Sequence, residues 1–312
     1  MTTATAGLFT FFGLLGLSLG ADILVRGASR LAKELGLSPL VIGLTVVAYG
    51  TSLPEIVASV VAAVEGHADV TLGNVIGSNI ANIGLILGAA AIVTPLPVAY
   101  SILRRELPIM VAVSSLLFLC AFRLELHQLA GVSFLGLLII FNWLSFRWAK
   151  SSTAESSTRT ATDGSALVAS LVTTAAGLAV LLGGAHLLVK GAVTLARVMG
   201  LSELVIGITL VAVGTSLPEL ATSVVAGLRK EADLVVGNIV GSNLFNILGA
   251  LGLSATIRPI TIGRSLLHFE LPMLMVFTLS MAAFLYTGRR LTRWEGCFLF
   301  MTYVLFMTLV FL

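Results

Sequence analysis

A chain of 312 residues that is 57% hydrophobic and only 11% charged, with a mean hydropathy of +1.06, has too little polar surface for a water-soluble domain. Its formal net charge of +3, from 18 Lys and Arg against 15 Asp and Glu, is too slight an excess to indicate a nucleic-acid partner. The composition is that of an all-α polytopic membrane protein, because a helix satisfies its own backbone polar groups inside hydrocarbon.

Ten apolar segments long enough to span a bilayer follow in order, at 8–25, 39–63, 71–93, 107–122, 129–147, 166–188, 203–227, 235–256, 269–286 and 295–312. The first is preceded by residues with no basic stretch, so it is expected to be a retained helix and not a cleaved leader. The second carries Gly50-Thr51-Ser52-Leu53-Pro54-Glu55-Ile56, in which Pro54 removes a backbone donor and presses on the carbonyl four residues back. A kink is expected there, with carbonyls near Ala48 and Thr51 released to a ligand. The third segment opens at Asp69, expected as a helix N-cap, and continues through Gly73-Asn74 to Gly77-Ser78-Asn79-Ile80-Ala81-Asn82. Ser78 and Asn82 share a helix face. Glu106, two residues before Pro108, suits the first turn of the fourth segment. Residues 149–165 are rich in Ser and Thr and read as a cytoplasmic linker.

The rest of the chain repeats this pattern at a constant offset of 164 residues. Between 41–84 and 205–248, 25 of 44 positions are identical without a gap. Gly214-Thr215-Ser216-Leu217-Pro218-Glu219-Leu220 and Gly241-Ser242-Asn243-Leu244-Phe245-Asn246 return the earlier motifs, Asp233 returns Asp69, and Glu270 returns Glu106. The expected organisation is a five-helix repeat at 1–148 with its motif at 43–88, the linker, and a second repeat at 166–312 with its motif at 207–252. Five segments per repeat make the second copy enter the membrane from the opposite side, so the repeat is expected to be inverted.

The basic residues agree with this layout. Thirteen of the 18, including Arg26, Arg104, Arg229 and Arg289, fall in loops after odd-numbered segments. Odd loops are therefore expected in the cytoplasm and both termini outside.

The chemistry lies in Glu55 and Glu219, carboxylates inside membrane-length apolar segments, where each costs at least ~2.5 kcal/mol unless paired or hydrated. Around them stand the carbonyls near Ala48, Thr51, Ala212 and Thr215, the hydroxyls of Thr51, Ser52, Ser78, Thr215, Ser216 and Ser242, and the amides of Asn82 and Asn246. An all-oxygen set without Cys or His selects hard cations such as calcium and sodium. Two carboxylates neutralise one divalent or two monovalent ions, so the two loads would compete. The histidines at 67, 127, 186 and 268 do not recur at the offset and read as incidental.

Paired Gly-Thr-Ser-Leu-Pro-Glu and Gly-Asn-x-x-Gly-Ser-Asn motifs resemble the alpha-repeats of the sodium/calcium exchanger family of cation/calcium antiporters. The resemblance implies ten helices and a transporter rather than an enzyme. It implies that calcium is held by Glu55 and Glu219 with the carbonyls of Thr51 and Thr215. Sodium sites are then completed by Ser52, Ser78, Asn82 and Ala48 with Ser216, Ser242, Asn246 and Ala212. It also implies a multi-pass protein of the cell membrane, without cofactor or obligatory protein partner, that extrudes calcium by alternating access as segments 1 and 6 slide. Potassium-dependent relatives carry aspartate where this chain has Asn246, which argues against potassium dependence. A proton/calcium antiporter using the glutamates as proton carriers is the alternative on this scaffold. A passive channel and an intramembrane protease fit the inverted halves and the Pro-kinked glutamates less well.

Overall fold

The computed structural model describes residues 2–153, 164–199 and 212–310. Helix α1 (Thr3–Leu35) has 33 residues and α10 (Gly164–Val198) has 35, so each is about 50 Å long. Both outrun the apolar segments expected at 8–25 and 166–188, and both exceed the ~30 Å hydrocarbon core. The extra turns carry Arg26, Arg30 and Lys33 in one and Lys190 and Arg197 in the other. Such residues are good helix formers that end the hydropathy signal without ending the helix. Thr2 accepts from the Thr5 N–H at the start of α1, and Gly36 closes it in the left-handed conformation.

These two repeat-equivalent helices pack antiparallel along most of their length. A Cβ on Gly20 would lie 2.6 Å from Leu181 Cα, one on Gly184 2.5 Å from Leu17 N, and one on Gly27 2.6 Å from Thr174 N. The glycines at 13, 20 and 27, and again at 177, 184 and 191, stand seven residues apart. Each set therefore lines one face and lets the backbones touch, as small residues do between membrane helices.

The next segment is broken. It comprises α2 (Pro39–Ile42), a π-helical stretch at Gly43–Val47, α3 (Ala48–Thr51) and α4 (Leu53–Glu65), with a 47° bend at Ser52. After it come α5 (Ala68–Ala81), a second π-helical stretch (Asn82–Leu87) and α6 (Gly88–Val93). The first half ends with β1 (Leu96–Pro97), α7 (Tyr100–Arg104), α8 (Glu106–Ala121), β2 (Glu125–Leu126) and α9 (Gln128–Thr153). Beyond α10 the second half continues as α11 (Ala212–Thr215), α12 (Leu217–Leu228), α13 (Ala232–Leu244), a π-helical stretch (Phe245–Leu251) and α14 (Gly252–Ile257). It closes with β3 (Ile260–Thr261), α15 (Arg264–His268), α16 (Glu270–Gly288), β4 (Arg290–Leu291) and α17 (Arg293–Val310).

Among the described residues seven helices are long and apolar enough to cross a membrane, or eight with the bent pair taken as one. Of the ten expected segments, α8 has only 16 residues, and the one at 203–227 lies partly outside the described residues. The centre of the molecule is set by burial. The most apolar part of Ala232–Ile257 is 100% buried and that of Ala68–Val93 78%, against 22–33% for the other single helices. The outer helices turn side chains such as Phe11, Leu129 and Ile139 outward, as lipid requires.

Two short antiparallel pairings tie distant loops together. Leu96 pairs with Leu291 and Pro97 with Arg290; Glu125 pairs with Thr261 and Leu126 with Ile260. Two expectations about charges at helix starts divide here. Glu106 and Glu270 do open α8 and α16, with their carboxylates in the first turn. Asp69 and Asp233 are not N-caps. His67 and Glu231 take that place, with no side-chain cap bond, and each Asp is the second helical residue. The chain turns helical one residue before each Asp, so the acid meets the positive helix end from inside the first turn.

Candidate ion-binding site

The bend at Ser52 follows from Pro54, the second residue of α4, which has no N–H for the Gly50 carbonyl. Across the break, the Ser52 N–H donates to Ala48 O at 3.0 Å and the Ile56 N–H to Ser52 O at 3.0 Å. Among the described residues no bond from the Glu55 N–H to Thr51 O spans it. The carbonyls released therefore include those of Gly50 and Thr51. Ala48, expected to be free, is engaged by Ser52 and also accepts from Thr51 Oγ1 at 3.4 Å, because proline disturbs the carbonyl four residues back and not six. The second copy repeats the construction: Pro218 stands second in α12, and the Leu220 N–H reaches Ser216 O at 3.1 Å.

The two copies meet through their serines and glutamates. Ser52 Oγ donates to Glu219 Oε1 at 2.9 Å, and Ser216 Oγ donates to Glu55 Oε1 at 3.2 Å. Each hydroxyl thus serves the carboxylate of the other repeat. Both glutamates are 1% exposed, and Oε2 of each has no hydrogen-bond partner. Thr51 and Ser52 are fully buried, Ser216, Ser78 and Ser242 nearly so, and Thr215 is half-buried. Ala212 opens the short helix that leads to Thr215.

A ring of amides supports this centre. Asn74 Nδ2 donates to the Glu55 carbonyl at 3.0 Å and to Ser59 Oγ at 2.8 Å. Its repeat mate Asn238 donates to Ser223 Oγ at 3.3 Å and accepts from Thr51 Oγ1 at 3.3 Å. Asn74, Asn238, Ser59 and Ser223 were absent from the residues expected at the site. Their signal was present, since all four recur at the 164-residue offset.

The symmetry fails at one place. Asn82 Nδ2 donates to Asn243 Oδ1 at 3.1 Å, and Asn243 Nδ2 points at Met110 Sδ, 3.6 Å away. This chain leaves Asn82 Oδ1 as the unpartnered end of its amide. In the other half Met110 is replaced by Leu274, which has no acceptor. There Asn79 Nδ2 turns to its own helix at Val75 O, 2.6 Å away, while Asn79 Oδ1 and both polar atoms of Asn246 lack partners.

Unpartnered oxygens on Glu55, Glu219, Asn82, Asn246 and Ser242, all 0–1% exposed, are costly in an apolar interior. A cation would satisfy them together. Among the described residues no group of three or more His, Cys, Asp or Glu side chains could hold a metal ion. A hard ion at the two carboxylates would therefore complete its coordination with neutral oxygens from hydroxyls, amides and the released carbonyls.

Comparison with known proteins gives the family and the fold. The family model for the sodium/calcium exchanger protein matches residues 5–147 and 169–312. The chain is 34% identical to the sodium/calcium exchanger MaX1 of Methanosarcina acetivorans over 97% of this chain and 98% of that one. It is 43% identical to the inner membrane protein YrbG of Escherichia coli over 83% of this chain and 81% of that one. Among solved structures, it superposes on the sodium-calcium exchanger NCX_Mj soaked with sodium and calcium with a TM-score of 0.88, at 32% identity over 99% of both chains.

Proposed function

Because the chain belongs to the sodium/calcium exchanger family, and so to the multi-pass membrane antiporters of calcium and other cations, we propose that it exchanges sodium for calcium and normally extrudes calcium. The observation that carries this reading is the crossed pair of hydrogen bonds from Ser52 to Glu219 and from Ser216 to Glu55, which leaves one bare oxygen on each buried carboxylate. Two negative charges so placed repel each other when no cation is present. One calcium ion, or two sodium ions, would neutralise them, and competition for the same two charges is what couples the two fluxes. Glu55 and Glu219 with Thr51 and Thr215 would hold calcium. Ser52, Ser78 and Asn82, with Ser216, Ser242, Asn246 and Ala212, would complete the sodium sites, and the Ala48 carbonyl would join them only by exchanging its bond from Thr51 for the ion.

The proposed architecture is ten spans in two inverted five-helix repeats, at 1–148 and 166–312, joined by a cytoplasmic linker at 149–165. Three observations support it. The equivalent helices α1 and α10 pack antiparallel, as an inverted repeat requires. The β1–β4 pair joins the loops after segments 3 and 9, and the β2–β3 pair those after segments 4 and 8, so loops of one parity meet each other. Asp22, near the end of segment 1, bridges Arg26 at 2.7 Å and also Arg229 in the loop after segment 7.

Single cysteines at positions 157 and 68, in a background lacking Cys120 and Cys297, will react with impermeant thiol reagents from opposite sides of the membrane. Labelling from one side would contradict the inversion. With neutral Asn82 and Asn246 the site has no third carboxylate to recruit potassium, so sodium-driven calcium flux will be unchanged when choline replaces potassium. A collapse of flux under that exchange would contradict the ligand set.

A further inference from the structure

The structure carries a second charged feature far from the carboxylate pair, in the frame where β1 meets β4. We propose that the face formed by Tyr100, Arg104 and Arg289 binds the phosphate of an anionic phospholipid headgroup. Arg104 and Arg289 hold their guanidinium groups 4.5 and 4.8 Å from the centre of the same Tyr100 ring. Two like charges gathered on one aromatic ring repel each other, and the ring's weak attraction for each does not neutralise them. Arg290, the next residue in the chain after Arg289, is also exposed.

Among the described residues no carboxylate pairs with Arg104 or Arg289; Glu231 and Asp233 share a cavity with Val98 and Ala99 beside Tyr100, where Lys230 lies with them. Glu106 is 3% exposed and faces inward, and Glu295 is committed to Thr292, accepting from its N–H at 2.8 Å and its hydroxyl at 2.7 Å. Arg26 and Arg229 pair with Asp22, whereas neither Arg104 nor Arg289 forms an ion pair among the described residues.

The cationic face is also held rigidly. The Val98 N–H donates to the Arg289 carbonyl at 2.9 Å, and the Tyr286 hydroxyl donates to the Leu103 carbonyl. Arg289 stands at φ 50, a left-handed conformation that a side chain other than glycine adopts at some cost. Around it Tyr286 and Trp294 are 53% and 85% exposed, as aromatics are where hydrocarbon gives way to headgroups.

The opposite repeat supplies a control within the molecule. There β2 meets β3 in the same frame, the Ile262 N–H donates to the Leu124 carbonyl at 2.8 Å, and Leu124 stands at φ 57. That frame places Arg264 and His268 where the first has Tyr100 and Arg104, and Glu125 lies next to Leu124, 3.3 Å from His127. The scaffold recurs, whereas among the described residues two cations on one aromatic ring are found in the β1–β4 frame and not in the β2–β3 frame. A phosphate there would lie level with the headgroups of the lipids against the apolar helices, so a membrane lipid is the source the site is built for.

Native mass spectrometry of the full-length protein in detergent, with dioleoyl phosphatidylglycerol or dioleoyl phosphatidylcholine added, tests this. The wild type is expected to retain phosphatidylglycerol in preference to phosphatidylcholine. The double variant Arg104→Gln, Arg289→Gln should retain about tenfold less phosphatidylglycerol, from the loss of two charges near an anionic headgroup. Arg104→Lys, Arg289→Lys should keep most of it, and Arg264→Gln, His268→Gln should match the wild type. Equal retention of the two lipids, undiminished retention by the Gln pair, or a loss as large in the Lys pair as in the Gln pair would overturn the proposal. Displacement of the lipid by millimolar inorganic phosphate would also overturn it, by assigning the site to a free anion.

Discussion

Replacing Glu55 or Glu219 with Gln is expected to abolish calcium transport while the protein still folds. Gln keeps the size of Glu and an oxygen able to accept from Ser216 or Ser52, so packing and the crossed hydrogen bonds survive. The variant also relieves the repulsion between two carboxylates in an apolar centre. What it removes is half the charge available to a divalent ion. With no third acidic ligand among the described residues, that lowers calcium affinity by on the order of a hundredfold or more. Radiolabelled calcium uptake by each purified variant in proteoliposomes should fall to the level of empty vesicles, with an elution profile matching the wild type. Wild-type flux in either variant would remove these residues from the ion path.

The second large effect is on assembly. Gly20→Ala and Gly184→Ala each place a methyl group where backbone already stands, 2.6 Å from Leu181 Cα and 2.5 Å from Leu17 N. Backbone cannot swing aside as the tip of a side chain can, so α1 and α10 must separate or slip. Overpacking of this kind costs roughly 1–3 kcal/mol, and thermal unfolding in detergent should drop by about 5 °C or more. Gly136→Ala is the control, since among the described residues nothing lies within 4 Å of a Cβ there. Equal stability of all three variants would mean that the two long helices are not held by glycine contact.

Much of this molecule is legible in the sequence because it is written twice. The 164-residue repeat locates Pro54 and Pro218, the broken helices and the buried glutamates, since each feature has a local cause that acts identically in both copies. The full lengths of α1 and α10 escape a hydropathy reading, which stops at the first charged residues although helix formation and glycine packing continue beyond them. The heptad of glycines at 13, 20 and 27 was available as a pattern, but only the partner helix gives it meaning. The π-helical stretches at Gly43–Val47, Asn82–Leu87 and Phe245–Leu251 leave no comparable mark. Asn82 and Asn246 open or follow the start of the last two, and the bond from Asn82 to Asn243 of the opposite repeat is a tertiary contact that no local pattern encodes. The difference between Asn82 and Asn246 likewise rests on Met110 against Leu274, a substitution of one apolar residue for another until the thioether is seen beside Asn243.

The central claim, that two buried carboxylates exchange sodium for calcium, is tested most directly by calcium uptake into proteoliposomes loaded either with sodium or with protons at matched membrane potential. The account predicts rapid uptake driven by internal sodium and little by internal protons alone, with no uptake when neither gradient is present. Uptake driven equally well by protons without sodium would make the glutamates proton carriers and contradict sodium coupling. Uptake with no counter-ion gradient would contradict exchange itself.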